Sequence, residues 1–359
     1  MRIALNTRIW EQQPMSGIPL YIQRFHDEAL AQGADVRCVQ VALDHVLGET
    51  LALRGRRPPP PLFDLALAEL LAYESGAEIF HGPSNLVPLW RRRLPRHVVT
   101  VHDLGFLILP PSLNQRRLFN TYYRWAVARS VHAADAVIAD SYNTSHDLMR
   151  LLGVPAGKIK VVHLGVDERF RRGSDAPRLV AGRYVLSVST HPRRKNVLRC
   201  LEALARQTRD AADVAYVVVG ALAEAQRTDL TQVAADLGLS DRLVLFGSAS
   251  DDELANLYEH AECMLYPSYY EGFGLPVAEA MASGCPVIAS RTSSLPEVLG
   301  DTTWLVDPYS TAAISTALGE MLTLSHHARD NLVARNRERA RRFVWSRTSQ
   351  QTLEVLLGG

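Results

Sequence analysis

Lysine is nearly absent: the 359 residues hold 36 arginines and only three lysines, Lys158, Lys160 and Lys195. Cysteine is sparse too. Cys38, Cys200, Cys263 and Cys285 are scattered, with no CxxC spacing. That pattern gives neither a thiolate metal site nor a disulfide framework and fits buried thiols in a reducing cytosol. Long apolar runs are missing. Stretches such as 215–223 stop far short of the roughly 20 residues a membrane span needs. The opening MRIALNTRIW has too short an apolar core for a signal peptide and reads as a first strand. No GxGxxG follows it, which disfavours a dinucleotide dehydrogenase. No DxD signature stands in a suitable loop, so no metal or other cofactor is expected.

What is present is an ordinary globular composition, 47% hydrophobic and 21% charged, long enough for two domains. The net charge of +1 hides an asymmetry. Residues 1–172 hold 21 basic and 16 acidic side chains, and the remainder holds 18 and 22. The near-neutral balance argues against a dedicated nucleic-acid binder.

Short apolar runs alternate with amphipathic stretches, the pattern of parallel βαβ units. Expected strands are 2–6, 36–41, 78–81, 97–102, 136–139 and 160–163, then 184–189, 215–219, 242–246, 263–266, 286–289 and 303–306. Expected helices are 18–32, 62–73, 114–133 and 145–152, then 197–206, 223–237, 251–260, 276–283, 311–324, 327–342 and 346–357. Residues 53–61 (LRGRRPPPP) read as a loop. Residues 166–183 lose periodicity and read as a linker. The expected fold is α/β, two doubly wound Rossmann-like domains, 1–165 and 184–345, facing a central cleft.

The most informative segment is YPSYYEGFGLPVAEAMASGCP, 266–286. A strand delivers Gly272, Phe273, Gly274 and Leu275 to a helix whose first turn accepts Pro276. Free N–H groups and the positive dipole end then favour a phosphate. Glu271 and Glu279 bracket the loop. Carboxylates there suit the hydroxyls flanking a diphosphate, one on a sugar and one on a ribose. SVSTHPRRKN, 187–196, also follows a strand. Lys195, Arg194 and Arg193 could clamp a diphosphate, which removes the conflict of cations with a helix start.

EGFGLPVAE, together with SVSTHPRRKN, VHDLGF and AVIADSYNTS, resembles the family-4 retaining glycosyltransferases with the GT-B fold. The resemblance covers most of the chain and extends to bacterial mannosyltransferases of surface-polysaccharide biosynthesis. It implies that Glu271 binds donor-sugar hydroxyls and Glu279 the ribose. It places the amides of Gly272, Phe273, Gly274 and Leu275 near the diphosphate and sugar, and His102 beside the reacting centre. Gly17, in the first strand–helix loop, lets backbone approach the phosphate or acceptor. The second glycine common in that loop is Pro19 here. The family's usual arginine five before the lysine is Thr190, so its role passes to Arg194. Gly247 and Ser248 lie near the base. The GT-B pattern also returns the C-terminal helix, 346–359, to the first domain.

The expected function is metal-independent, retaining transfer of a hexose, mannose or a related sugar, from a nucleotide-diphosphate sugar. GDP-mannose ranks ahead of a UDP-hexose. The partners are this donor and a glycan or lipid-linked acceptor, with no nucleic acid. The location is cytoplasmic, with peripheral contact on an anionic membrane through Arg91, Arg92, Arg93, Arg96, Arg116, Arg117, Arg124 and Arg129 and nearby aromatics. The alternatives are a GT-B nucleotide-sugar epimerase, a glycoside hydrolase or a non-catalytic sugar-binding protein.

Overall fold

Apolar runs such as 136–139 and 263–266 become strands buried on both faces, the signature of an all-parallel sheet covered by helices. In the computed structural model, residues 1–9, 17–38, 64–65, 68–89, 93–110, 113, 117–173, 176–190, 193–207, 213–300 and 302–359 are described, 117–120 by backbone alone. The chain divides into two units, Met1–Gly165 with Trp345–Gly359, and Val166–Val344.

The first unit carries strands β1 (Arg2–Leu5), β2 (Asp35–Cys38), β3 (Ile79–Gly82), β4 (Arg96–Val101), β5 (Ala136–Ala139) and β6 (Ile159–Val161). Its helices are α1 (Ile18–Ala31), α2 (Ala68–Glu74), α3 (Gly105–Ile108), α4 (Arg117–Ala133) and α5 (Tyr142–Leu152). The sheet is parallel in the order β2-β1-β3-β4-β5-β6. The order reverses between β1 and β3, so the ligand crevice of this unit is expected at their carboxyl ends.

The second unit carries β7 (Arg183–Val188), β8 (Val214–Val219), β9 (Leu243–Gly247), β10 (Cys263–Tyr266), β11 (Val287–Ser290) and β12 (Leu305–Val306). Its helices are α6 (Arg169–Arg172), α7 (Val197–Ala205), α8 (Glu224–Asp236), α9 (Asp251–His260), α10 (Leu275–Ala282), α11 (Leu295–Leu299), α12 (Thr311–Leu322) and α13 (His326–Ala340). The order β12-β11-β10-β7-β8-β9 is the doubly wound one, with its reversal between β7 and β10.

The last helix, α14 (Trp345–Leu357), belongs to the first unit. Gln32 Nε2 donates to Ser346 O at 3.0 Å, Thr348 Oγ1 to His163 O at 2.7 Å, and an Arg96 guanidinium nitrogen to Val355 O at 2.7 Å.

The structure departs from or adds to the sequence reading in three places. Residues 166–183, read as a linker, contain α6, and Phe170 there is buried against Tyr258. Arg171 there donates to Ala340 O and Phe343 O. Charge and glycine masked one apolar anchor. Helix α5 starts three residues early because Ser141 caps it, accepting from Thr144 N at 3.0 Å. Helices α3 and α11, each a single turn, were too short to show periodicity. The loop 53–61 and the ends of strand 36–41 and of helices 62–73 and 114–133 fall outside the described residues.

The basic run on α13 has a structural use. Arg337 donates to Ser283 O at the end of α10, and Arg339 to Glu297 O and Val298 O at the end of α11. Each arginine lies where a side chain on a positive-φ glycine, Gly284 or Gly300, would collide with it. Cations at helix C-termini satisfy the last carbonyls and oppose the dipole.

Candidate active site

The two sequence motifs leave the two strands that flank the second unit's reversal point. SVSTHPRRKN follows β7, and the EGFG loop follows β10. Lys195 Nζ donates to Glu271 Oε1 at 2.6 Å and to the Tyr266 hydroxyl. Both charged side chains are nearly buried, 11% and 7% exposed. Burial alone would raise the Glu271 carboxyl, but Lys195 and then Arg194 overcome it and hold the pKa below the ordinary 4.5.

The loop backbones are pinned around this pair. Asn196 takes left-handed φ of 61° and donates its amide to Pro267 O and Pro308 O. Tyr269 N donates to Arg194 O at 3.1 Å. Glu271 N donates to Ser293 Oγ, and Ser294 Oγ to Glu271 O and Phe273 O. Arg193 is exposed and paired with Asp229 at 3.1 Å, so its charge is spent on a surface partner.

Gly274 is the N-cap of α10, with φ of 103°. A Cβ there would stand 2.5 Å from Leu295 Cδ2. The conformation requires glycine, and any side chain would also force Leu295 to shift. The Phe273 ring is buried against Phe343, centroids 5.4 Å apart, so its side chain anchors the loop just before the N-cap. Leu275 and Pro276 open the helix. Glu279 is its fifth residue, one residue deeper than the expected helix 276–283 would put it, because α10 begins at Leu275. At that depth Glu279 is buried, and burial pushes its pKa up to about 8, with Asp251 and Asp167 adding to the rise. Tyr258 donates to its Oε2 at 3.4 Å. A carboxyl protonated at neutral pH can donate as well as accept a hydrogen bond.

Thr190 and Ser248 are exposed. Gly247, with φ of 84°, ends β9 with open space around it, and its carbonyl accepts from Gly220 N at 2.7 Å. Gly220 was missed in the sequence. A Cβ on it would overlap Ser189 O, so the ends of β7 and β8 can approach only with glycine there. A strand ending in Gly, VVVG, was the available signal.

In the first unit, Gly17 (φ 63°) starts α1, and Pro19 fits that helix's first turn. One turn on, Tyr21 places its ring 5.0 Å from the His102 ring, edge-on. His102, at the end of β4, is held by three groups that sequence reasoning missed. Its Nδ1 is 2.6 Å from Asp140 Oδ2, its Nε2 is 2.7 Å from Pro83 O, and its backbone N donates to Asn85 Oδ1 at 2.9 Å. Burial disfavours the imidazolium, yet Asp140 outweighs it and the net pKa lies above the ordinary 6.5. Asp140 was legible only as a polar residue ending the strand AVIA. His81 is fully buried against Phe25 and hydrogen-bonded to Thr100, so it belongs to the core. Its pKa falls to about 3, chiefly through burial. His191 lies outside the described residues.

Two crevice-forming Rossmann-like units, one with a buried Lys–Glu pair and a glycine-opened helix at its switch point, define the GT-B class of glycosyltransferases. Residues 177–341 match the family described as glycosyl transferases group 1, and residues 15–170 match glycosyltransferase family 4. O-antigen chain mannosyltransferase B of Escherichia coli is 30% identical over 77% of this chain and 73% of its own. The MMP alpha-(1->4)-mannosyltransferase of Mycolicibacterium hassiacum is 31% identical over 83% of this chain and 75% of its own. Among solved structures, Anabaena HepE in complex with UDP-glucose aligns over 100% of both chains with a TM-score of 0.75 and 19% identity. The chain belongs to the family-4 and group-1 glycosyltransferases.

Proposed function

We propose that this glycosyltransferase moves mannose or a closely related hexose from a GDP-linked donor to a hydroxyl of a glycan or lipid-linked glycan in surface-polysaccharide assembly. The reaction retains anomeric configuration and uses no metal. The observation that carries the reading is the Lys195–Glu271 pair at the switch point, 2.6 Å apart beside the Gly274 helix start. The mannosyltransferase relatives support the choice of sugar.

Breaking the bond between the sugar and the β-phosphate puts negative charge on the departing oxygen. Lys195, Arg194 and the amides of Gly272, Phe273, Gly274 and Leu275 are preorganised to receive it. Lys195 then shares its charge with the phosphate, and Glu271 turns its oxygens to the sugar hydroxyls. The acceptor oxygen bonds to the anomeric carbon, and its proton passes to the leaving phosphate. Glu279, deeper in α10, takes the ribose hydroxyls. Arg194 supplies the cation that the family pattern puts at Thr190.

A thermal-shift panel of GDP, UDP, ADP and their sugars tests the donor, because a ligand that binds only the folded chain raises the melting point. GDP-mannose is expected to give the largest shift, and a larger one with UDP-glucose would overturn the base assignment. Glu279→Ala is expected to weaken nucleotide binding, and unchanged affinity would remove its ribose role. If EDTA abolished transfer and Mg²⁺ restored it, the charge assignment would be wrong.

Peripheral membrane contact is part of the same proposal. Arg124 and Arg129 are exposed on α4, and Trp125 is 50% exposed. Tyr123 turns inward to Phe106, and Arg96 is engaged with α14, so neither joins the surface. Arg91, Arg92 and Arg116 lie outside the described residues, as does the side chain of Arg117. No helix among the described residues is long and apolar enough to cross a membrane. Co-sedimentation with anionic vesicles that weakens with salt supports docking, whereas absence of binding refutes it.

A further inference from the structure

The ring nitrogens of His102 both face acceptors. Asp140 Oδ2 stands 2.6 Å from Nδ1, and Pro83 O stands 2.7 Å from Nε2. A carbonyl oxygen only accepts, and so does an ionised carboxylate. A neutral imidazole carries one N–H and would leave one of these short contacts with no proton in it. Both are satisfied only when both nitrogens carry hydrogen. The ring is held by these two contacts and by Tyr21, edge-on with centroids 5.0 Å apart. The His102 backbone N donates to Asn85, which sits at left-handed φ of 68° and donates its own amide to Tyr123 at 2.7 Å. The titratable groups facing the ring are Asp140 from the end of β5, Tyr21 from α1, His81 from β3 and Asp103 from its own loop. Burial keeps His81 neutral, and it pushes Tyr21 far up, beyond working pH. Asp140 is 2% exposed, and its second oxygen, Oδ1, has no partner among the described residues. Its charge is therefore directed at His102.

We propose that Asp140 is a positioning residue that keeps His102 doubly protonated, so that His102 acts as a fixed cation and takes no proton from the acceptor. The proposal rests on the glycosyltransferase reading for its consequence in turnover but not for the state of the ring. It assigns the proton of the acceptor hydroxyl elsewhere, in accord with its passage to the leaving phosphate. It also gives the AVIADSYNTS segment a task, since Asp140 enters the site directly from β5.

The test is a pH titration of the histidine ring nitrogens by ¹H–¹⁵N NMR on the full-length chain, with His102→Gln identifying the signals. In the wild type both nitrogens are expected to stay protonated above the ordinary titration point of 6.5. Asp140→Asn keeps a hydrogen-bonding oxygen but removes the charge. Its His102 is expected to lose the second proton below the ordinary value of 6.5. Asp140→Glu is expected to restore part of the upward shift. Alongside, transfer by Asp140→Asn at pH 7 should fall about 10²-fold through kcat as the fixed charge is lost, with donor KM nearly unchanged. A His102 that is neutral at pH 7 in the wild type, or one whose titration Asp140→Asn leaves unmoved, overturns the proposal. So does an Asp140→Asn variant that loses only melting temperature. If no donor supports transfer, the functional reading fails while the ring titration still decides this inference.

Discussion

Lys195 in the second unit and His102 in the first both stand at strand carboxyl ends beside a carboxylate, but they are held differently. Lys195 reaches Glu271 and Tyr266 on a four-carbon stem, a point charge that can swing to a third partner. His102 is a flat ring engaged at both nitrogens and packed on Tyr21. In the function and inference proposed here, one cation is stored in a pair that a ligand can open, and the other is locked into its own unit. The same parallel-sheet architecture would then supply a transferable charge at one switch point and a fixed one near the other.

The sharpest way to break this comparison is Lys195→Met. It removes the transferable charge and leaves the buried Glu271 carboxylate with Arg194 as its remaining cation. Transfer is expected to fall about 10²–10³-fold, and a loss under about tenfold in single-turnover assays would show that Lys195 is not the main diphosphate cation. Glu271→Gln is the complementary change. Turnover should drop about 10²-fold, yet affinity for the free nucleoside diphosphate, read by calorimetry, should hold or rise because Lys195 is released. Weaker diphosphate binding would mean the pair is structural.

Gly274→Ala separates the helix start from the charges. Leu295 Cδ2 can shift, but φ of 103° cannot be reached cheaply by alanine. A cost of about 1–3 kcal/mol in denaturant unfolding is expected, and a neutral result would show that the loop relaxes.

The smallest effect concerns Glu279. Its pKa rises from 4.5 to about 8 on folding. Between those values the unfolded chain has released a proton that the folded chain keeps. Its contribution is full below pH 4.5 and is lost as pH climbs through 8. Glu279→Gln should therefore melt higher than wild type at pH 8.5 and match it at pH 4.5. Parallel melting curves at both pH values would refute the raised pKa.

Much of this was legible in the chain itself. Strand cores such as CMLY before the EGFG loop were unmistakable, because burial on both faces leaves only apolar residues. Lys195 and Glu271 were readable as chemistry at neighbouring strand ends. Their direct pairing was not, since a contact across 76 positions depends on strand order. Asp140 and Asn85 were invisible for the same reason. Each reaches His102 from a different strand end, and no local spacing encodes that. The depth of Glu279 turned on where one helix began, a shift of a single residue.

The guanidinium groups that close α10 and α11 put the scarcity of lysine in another light. Arg337 and Arg339 are not alone. Arg2, Arg171, Arg178, Arg242 and Arg329 also donate to main-chain carbonyls. Such a fork spans two oxygens at once, as Arg339 does, and carries its charge at any working pH. An arginine-to-lysine exchange that passes unnoticed at the exposed Arg124 would, at Arg339, leave a helix end with one oxygen unanswered. The choice between the two basic residues is in those places a matter of carpentry, with the guanidinium serving as a bracket between segments far apart in the chain.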